Sequence, residues 1–147
     1  MEKDGTGKSL FARFDHVGVV VEDMDKAIEH LSSLGLGPFE TANFPSITSR
    51  TLRGKPVHAK LGIRFCQMGP LKLELLQPLE GESLMKEFLE SNGEGLQHLG
   101  FLVDDIDKEV AKLTNQGVKV LQRGVRANGG GNAFMEILGF IFELTQR

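Results

Sequence analysis

Residues 15–31 read DHVGVVVEDMDKAIEHL, and residues 97–113 read QHLGFLVDDIDKEVAKL. Aligned with His98 opposite His16, 82 residues apart, both segments give His-x-Gly-x-x-Val, an acidic residue, Asp-x-Asp-Lys and a final Leu. Each begins with an apolar, β-branched run and continues with apolar residues at helical spacing, which predicts a strand followed by a helix. The sequence therefore indicates that the chain duplicates one strand–helix unit.

The remaining apolar segments complete each copy of the unit. Residues 38–55 are rich in turn-forming residues and are interpreted as a loop with at most a short strand. Further strands are predicted at residues 57–68, 71–76, 118–121, 133–138 and 140–145. The pattern predicts an α+β fold: two tandem βαβββ modules that form a curved, partly open mixed sheet around a cavity, with helices on one face.

Length and spacing define the expected domain organisation. We interpret residues 1–147 as a single domain, since 147 residues suffice for one substantial core. Module one covers about residues 13–80, a linker helix about 83–92, and module two about 96–146. These names, module one and module two, are kept below.

Composition excludes several classes of protein. The chain is 40% hydrophobic and 25% charged, and its formal net charge of −3 argues against a general nucleic-acid binder. No apolar run approaches the roughly 20 residues of a membrane span, and residues 1–14 lack the features of a secretory signal. A single cysteine fits a reducing compartment, so a cytoplasmic protein is expected. Residues 5–9, GTGKS, echo a phosphate-binding loop but lack its first glycine and preceding strand, so no nucleotide site is predicted there.

Four imidazole and carboxylate side chains share one face of the predicted strands. Side chains alternate along a strand, so Val17, Leu73, Leu99 and Phe142 define one, apolar face. The opposite face carries His16, Glu74, His98 and Glu143. Mixed nitrogen and oxygen ligands suit a divalent ion such as Co, Ni, Zn or Mn, and four ligands leave positions open for substrate oxygens. We therefore predict one divalent metal ion at these four residues.

The strand at residues 57–68 alternates between apolar and polar residues. Its polar side is expected to share the cavity with the ligands, where Lys60, Arg64 and Lys72 would bind a carboxylate-bearing substrate or a thioester with phosphates. Lys60 is also a weaker candidate for a general base if it is desolvated. Cys66 has no identifiable activating partner and is expected to be a small residue of the cavity wall.

These residues resemble the vicinal oxygen chelate superfamily, which includes glyoxalase I, methylmalonyl-CoA epimerase, extradiol dioxygenases and bleomycin-resistance proteins. The likeness covers roughly residues 13–146, and the segments FDHVGVVV, KLELLQPLEGES, GLQHLGFLVDDID and FELTQ are most similar to the epimerase branch. The resemblance places metal ligands at His16, Glu74, His98 and Glu143. Some glyoxalase I enzymes share this His/Glu/His/Glu pattern, so the ligand set leaves both activities open.

The resemblance implies proton abstraction next to a carbonyl, with a metal-stabilised enolate. Glu143 is the expected catalytic acid/base, with Glu74 as the second candidate. In the epimerases a Glu on the strand before the Glu74 strand supplies the second acid/base, whereas residues 57–68 contain no Asp or Glu. The second acid/base of an epimerase reaction is therefore not identified by the sequence.

Three functions remain in order of preference. The first is a metal-dependent isomerase of the methylmalonyl-CoA-epimerase type, and the second is a glyoxalase-I-type lactoylglutathione lyase. The third is a non-catalytic protein that binds small molecules on the same fold, while a ring-cleaving dioxygenase, with two His and one carboxylate, fits less well. The expected partner is a small-molecule substrate, a CoA thioester or another carboxylate, bound by a homodimer in which each subunit holds its own metal.

Overall fold

The computed structural model describes residues 9–147. The loop-like motif at residues 5–9 lies outside this range except for Ser9. Within residues 9–147, no helix is both long enough and apolar enough to cross a membrane.

Ten strands and three helices are found in residues 9–147. In chain order they are β1 (Phe14–Val20), α1 (Met24–Ser33), β2 (Glu40–Thr41), β3 (Ile47–Leu52), β4 (Lys55–Pro56), β5 (Ala59–Met68), β6 (Leu71–Gly81), α2 (Leu84–Asn92), β7 (Gly95–Leu102), α3 (Ile106–Asn115), β8 (Lys119–Arg126), β9 (Gly131–Ile137) and β10 (Phe140–Gln146). The α+β order predicted from the duplicated segment is confirmed.

All ten strands join one mixed, curled sheet, a half-barrel. Its order is β2-β5-β6-β1-β7-β10-β9-β8-β3-β4. The first strands of the two modules, β1 and β7, are antiparallel neighbours at the centre, and each has the last strand of its own module, β6 or β10, as a parallel neighbour. The two modules are thus related by an approximate two-fold axis between β1 and β7.

The duplicated acidic residues begin equivalent helices. The side chain of Asp23 accepts a hydrogen bond from the Lys26 amide at the start of α1, and Asp105 accepts one from the Lys108 amide at the start of α3. These caps satisfy amides that have no partner within the helix. Helices α1 and α3 pack against the convex face of the sheet, over the apolar sides of β6 and β10.

The predicted facing of β5 is wrong at Cys66. Cys66 lies opposite Leu73 in the β5–β6 register and packs in the cluster beneath α1, whereas Phe65 lies opposite Glu74. Residues paired across antiparallel strands point to the same side, so the apolar side chains of β5 face the cavity. Alternation alone does not say which side of a strand faces which layer, and apolar side chains line both sides of β5.

Helix α2 departs from the prediction that all helices cover one face. Its Leu84 and Met85 pack with Leu76 and Phe134, which belong to the concave side of the sheet. The amide of Leu84 also donates to Gln122 Oε1 on β8. Helix α2 therefore closes one end of the concave side, because this part of the cavity face is apolar.

The segment at residues 38–55 contains more regular structure than predicted. Strands β3 and β4 form a hairpin, and β3 pairs with β8 of module two, at the far edge of the sheet from β5. Leu52 of β3 is buried in the cluster that includes Leu121 and Phe134. Packing against module two orders a stretch that the sequence pattern alone presents as a loop.

Candidate metal centre

Two rows of side chains cross the centre of the sheet. In one row, Glu74 of β6 lies beside Gly18 of β1, which lies opposite His98 of β7. In the other, Glu143 of β10 lies beside Gly100 of β7, which lies opposite His16 of β1. Each row therefore reads Glu–Gly–His, and the two rows run in opposite directions across the pseudo-two-fold axis.

The four predicted ligands converge on the concave side. The Nε2 atoms of His16 and His98 are 3.2 Å apart. Oε2 of Glu143 lies 3.1 Å from His98 Nε2 and 3.5 Å from His16 Nε2, while Oε2 of Glu74 lies 3.9 Å from His16 Nε2. One ligand atom from each of the four residues lies within 4.8 Å of the others, so all four come together within one chain.

The glycines of the repeated motif make room for this convergence. A Cβ added to Gly18 would overlap the imidazole of His98, and one added to Gly100 would overlap the imidazole of His16. Each His-x-Gly motif thus supplies one ligand and the space for the ligand of the other copy. This reciprocal packing explains why the two residues are repeated together.

Each imidazole is oriented by the residue that precedes it. Nδ1–H of His16 donates to Asp15 Oδ2 at 2.9 Å, and Nδ1–H of His98 donates to Gln97 Oε1 at 2.9 Å. Gln97 in turn donates to the carbonyl oxygen of Leu84 on α2 at 3.2 Å. These hydrogen bonds hold a proton on each Nδ1, so replacing the Nε2 proton by a metal gives the form in which histidine acts as a ligand.

The electrostatics couple the imidazoles to the carboxylates. Burial acts to lower the pKa of His16, but hydrogen bonds with Asp15 and Glu143 raise it to about 11. Burial acts to raise the pKa of Glu143, but hydrogen bonds from the two imidazoles hold it below its usual range. Burial raises the pKa of Glu74, and the charge of His16 opposes this. Of the two carboxylates, Glu143 is therefore the one most closely bound to the two imidazoles.

The donor set fits a divalent cation. Two imidazole nitrogens and two carboxylate oxygens are ligands that first-row divalent ions accept, and both imidazoles have the hydrogen-bonded outer nitrogen typical of metal ligands. His16, His98 and Glu143 are buried, and Glu74 is half-buried at the cavity. The residues that would hold the ion are thus the four that the sequence analysis predicts.

A cavity of about 580 Å³ opens from this cluster along the concave side. Its volume lies in the range of small-molecule sites. Lys60 and Arg64 line it, although Lys60 is solvent-exposed and so lacks the desolvation expected of a lysine general base. Lys72 is not among the lining residues, and its Nζ lies 3.6 Å from Asp15 Oδ1.

Other polar residues of the site were missed by the sequence analysis. Asp15 and Gln97 stand one residue before the two histidines, so the same alignment of the repeat could have revealed both. Arg50, Arg126 and Asn132 also line the cavity. These three residues are not part of the sequence repeat. They line one cavity only because β3 pairs with β8 and β8 pairs with β9.

Comparison with known proteins identifies the family of the chain. A family model described as the Glyoxalase/Bleomycin resistance protein/Dioxygenase superfamily matches residues 15–135. The chain belongs to this superfamily. The superfamily includes metal-dependent enzymes such as methylmalonyl-CoA epimerase, so the resemblance noted in the sequence is confirmed at this level.

Two curated proteins are similar in sequence to this chain. The uncharacterized protein YqjC of Bacillus subtilis (strain 168) is 31% identical over 142 residues, which cover 91% of each chain. The mitochondrial methylmalonyl-CoA epimerase of Homo sapiens is 28% identical over 120 residues, which cover 81% of this chain and 62% of the human one. The chain therefore spans less than two thirds of the length of the human epimerase.

Solved structures share the fold. Methylmalonyl-CoA epimerase from Mycobacterium tuberculosis superposes with a TM-score of 0.64 at 24% identity, covering 94% of this chain and 89% of the other. A variant of the Streptomyces coelicolor epimerase in complex with 2-nitronate-propionyl-CoA gives a TM-score of 0.62 at 22% identity, with coverage of 92% and 97%. At these identities the similarity establishes the fold of the half-barrel.

Proposed function

We propose that this protein is a divalent-metal-dependent isomerase of the methylmalonyl-CoA-epimerase type, which moves an acidic proton next to a carbonyl group. One observation carries the proposal: the two Glu–Gly–His rows bring a carboxylate from each module to opposite sides of the paired imidazoles. Similarity to the human epimerase and to epimerase structures supports this choice of reaction.

The residues that would hold the metal are His16, Glu74, His98 and Glu143. When bound, a divalent ion supplies Lewis-acid chemistry that polarises a carbonyl and favours the negative charge of an enolate. Asp15 and Gln97 keep the two imidazoles in the orientation that this role requires.

Two carboxylates can account for both proton transfers. Epimerisation removes a proton from one face of a carbon and returns one to the other, so it needs two acid/base groups. Among residues 9–147, the acids that line the cavity are Asp15, Glu74 and Glu143, and Asp15 is hydrogen-bonded to His16. We therefore assign the two transfers to Glu74 and Glu143, which replace the carboxylate that β5 lacks.

Contacts differ between the two carboxylates. Glu143 lies within 3.5 Å of both imidazoles, whereas Glu74 has a single imidazole contact at 3.9 Å and is partly open to the cavity. Glu74 is thus freer than Glu143 to move a proton to and from a substrate, although the sequence analysis names it as the second candidate. Leu76, Met85 and Phe134 line the cavity beside it and exclude water from the reacting carbon.

Hydrogen–deuterium exchange at the α-carbon of methylmalonyl-CoA tests this function. The metal content is first measured by elemental analysis, and the protein loaded in turn with Co, Ni, Zn or Mn is incubated with the substrate in deuterated buffer. We expect the unmodified protein to exchange deuterium into both epimers. Glu74→Gln and Glu143→Gln should each reduce exchange by roughly 100-fold or more with the one epimer whose proton the altered residue removes, since a positioned acid/base contributes about 10²–10⁴-fold.

The control is Glu136→Gln, which makes the same chemical change at an exposed residue of β9. It should exchange deuterium at the rate of the unmodified protein. Absence of exchange with all four metals, or full exchange of both epimers in Glu74→Gln, would contradict the proposal.

A lactoylglutathione lyase is the second candidate, because Glu74 joins the cluster and completes a His/Glu/His/Glu set. The hemithioacetal of methylglyoxal and glutathione undergoes the same type of α-proton transfer. Formation of the thioester, followed by ultraviolet absorbance, would favour this function if methylmalonyl-CoA does not exchange.

A further inference from the structure

Two arginines on the module-two side of the cavity lack an acidic partner. Arg126 is only 6% exposed, and its guanidinium donates to the carbonyl oxygens of Pro45 and Gln146. Arg50 is half-buried, and its Nη1 donates to the carbonyl oxygen of Ala59. Within residues 9–147 neither arginine forms an ion pair with a carboxylate.

A buried charge without a counter-charge lowers the stability of the folded protein. Carbonyl oxygens satisfy individual N–H groups but do not neutralise the cation. Burial lowers the pKa of Arg126, and the negative charge of Glu143 opposes this. Two imidazoles already contact that carboxylate, however, so it is not free to pair with the arginine. Both guanidinium groups therefore retain a net positive charge on the wall of the cavity.

Strand register places Arg50 beside Asn132. Arg50 of β3 pairs with Gly124 of β8, and Gly124 pairs with Asn132 of β9. A Cβ on Gly124 would lie 2.5 Å from Asn132 Oδ1, so the Asn132 side chain leans over the glycine toward β3. The row continues to Thr145, two residues after Glu143 on β10. This row is therefore offset by two residues along the strands, about 7 Å, from the row that holds Glu143.

Two buried polar atoms in this row have no hydrogen-bond partner. They are Nε of Arg50 and Oδ1 of Asn132. The Nε edge of a guanidinium is one of the edges that bind carboxylate or phosphate oxygens through two parallel hydrogen bonds. Rotation of the Asn132 amide exchanges its oxygen for an N–H₂ donor, and both residues line the cavity. Orphaned buried polar atoms are rare in folded proteins, and a ligand that satisfies them removes the cost.

We propose that Arg50, Arg126 and Asn132 form an anion-binding subsite for a carboxylate or phosphate group of the substrate. This group is distinct from the oxygens at the metal cluster, since Arg50 lies three strands from β10, about 14 Å across the sheet at the usual spacing of strands. The subsite selects substrates that carry a second anionic group at this spacing. It does not depend on the proposed proton transfer, because none of its three residues is a candidate metal ligand or acid/base.

Titration of the ¹⁵N-labelled protein with sodium phosphate and, separately, with sodium succinate tests the subsite. The arginine Nε–Hε signals are followed by NMR, with the Arg50 signal assigned from its absence in Arg50→Lys. We expect saturable shifts of the Arg50 and Arg126 signals, before and after removal of metal with EDTA. Preference for one probe identifies the anionic group as phosphate or carboxylate, and either result supports the subsite.

Matched variants separate specific binding from an effect of net charge. Arg50→Gln should weaken binding of the preferred probe at least tenfold, in line with a lost charge-assisted hydrogen bond. Lys55→Gln, with the same charge change at an exposed residue of β4 outside the cavity, should leave affinity unchanged. Arg50→Lys keeps the charge but lacks Nε, so it should weaken binding by about threefold or more and serves if Arg50→Gln does not fold.

Three outcomes would overturn the proposal. They are no saturable shift with either probe, equal affinity in the Arg50 variants and the unmodified protein, or binding that disappears when metal is removed. The last would place the anion at the metal cluster. Loss of deuterium exchange with intact anion binding would instead refute only the proposed isomerase.

Discussion

Module two continues from α3 into three consecutive antiparallel strands, β8, β9 and β10. In module one the two-residue β2 follows α1, and residues 42–58 then cross to the opposite edge of the sheet, where β3 pairs with β8, before β5 and β6 complete the module. The shared strand–helix pairs supply the histidines and glycines of the metal centre. The divergent segment supplies Arg50 and a wall of the cavity. Duplication thus accounts for the candidate chemistry, and divergence accounts for the shape and charge of the pocket.

The largest expected effect tests whether the two modules contribute equally to the metal. His16→Ala and His98→Ala each remove a buried imidazole ligand, so each should lower metal affinity by more than about 100-fold, the upper range for residues that only support ligands. Metal titration of the purified variants measures this. His30→Ala, at an exposed position of α1, should bind metal normally. Normal affinity in either ligand variant would show that one module suffices.

The next largest effect is expected at Gly18 and Gly100, each of which leaves room for the imidazole of the other module. Gly18→Ala and Gly100→Ala place a Cβ into the imidazole of the other module, so each should lower metal affinity by at least tenfold and destabilise the fold by about 1–3 kcal/mol. Gly62→Ala is the matched control, because its Cβ would meet no atom closer than 3.7 Å. Metal titration and urea denaturation check both effects. If the control and the two variants behave alike, the packing account is wrong.

A smaller effect distinguishes the residues that orient the imidazoles. Asp15→Ala and Gln97→Ala should each lower metal affinity by about tenfold, with the greater loss for Asp15, because a carboxylate raises the basicity of its imidazole more than an amide does. Competition with a chelator of known affinity measures the difference. A greater loss in Gln97→Ala would contradict the expectation that the Asp15 carboxylate supports its imidazole more strongly than the Gln97 amide does.

The smallest effect should be the same in both modules. Asp23→Ala and Asp105→Ala each remove a side chain that caps the first turn of a helix, so each should cost about 1 kcal/mol of unfolding free energy. Chemical denaturation provides the measurement, and metal affinity should not change. A difference of more than about 1 kcal/mol between the two variants would show that the two strand–helix units are not energetically equivalent.

Much of the candidate site is predictable because it repeats. The alignment of His16 with His98, and of the two Glu-bearing strands, identifies all four residues of the cluster from their positions in the chain alone. The same alignment contains Asp15 and Gln97, which were overlooked because adjacent residues on a strand ordinarily face opposite sides.

The predictions that failed lie where local pattern is ambiguous. Apolar and polar residues alternate along β5, but alternation could not decide which side of the strand faces the cavity, and Cys66 lies on the side that packs beneath α1. The hairpin of β3 and β4 is stabilised by pairing with a strand about 70 residues later, a contact that no local signal encodes. Helix α2 was predicted correctly, but its position on the concave side depends on apolar residues from both modules.

The sequence by itself determined the duplicated strand–helix units, their capped helix starts and the four residues of the candidate metal centre, because these follow from periodicity and from repeated residue types. Only the tertiary structure decided which residues form the wall of the cavity, Arg50, Arg126 and Asn132 among them. Those features arise from pairing between strands that are distant in the chain, where burial and hydrogen bonding across the whole sheet outweigh local preference.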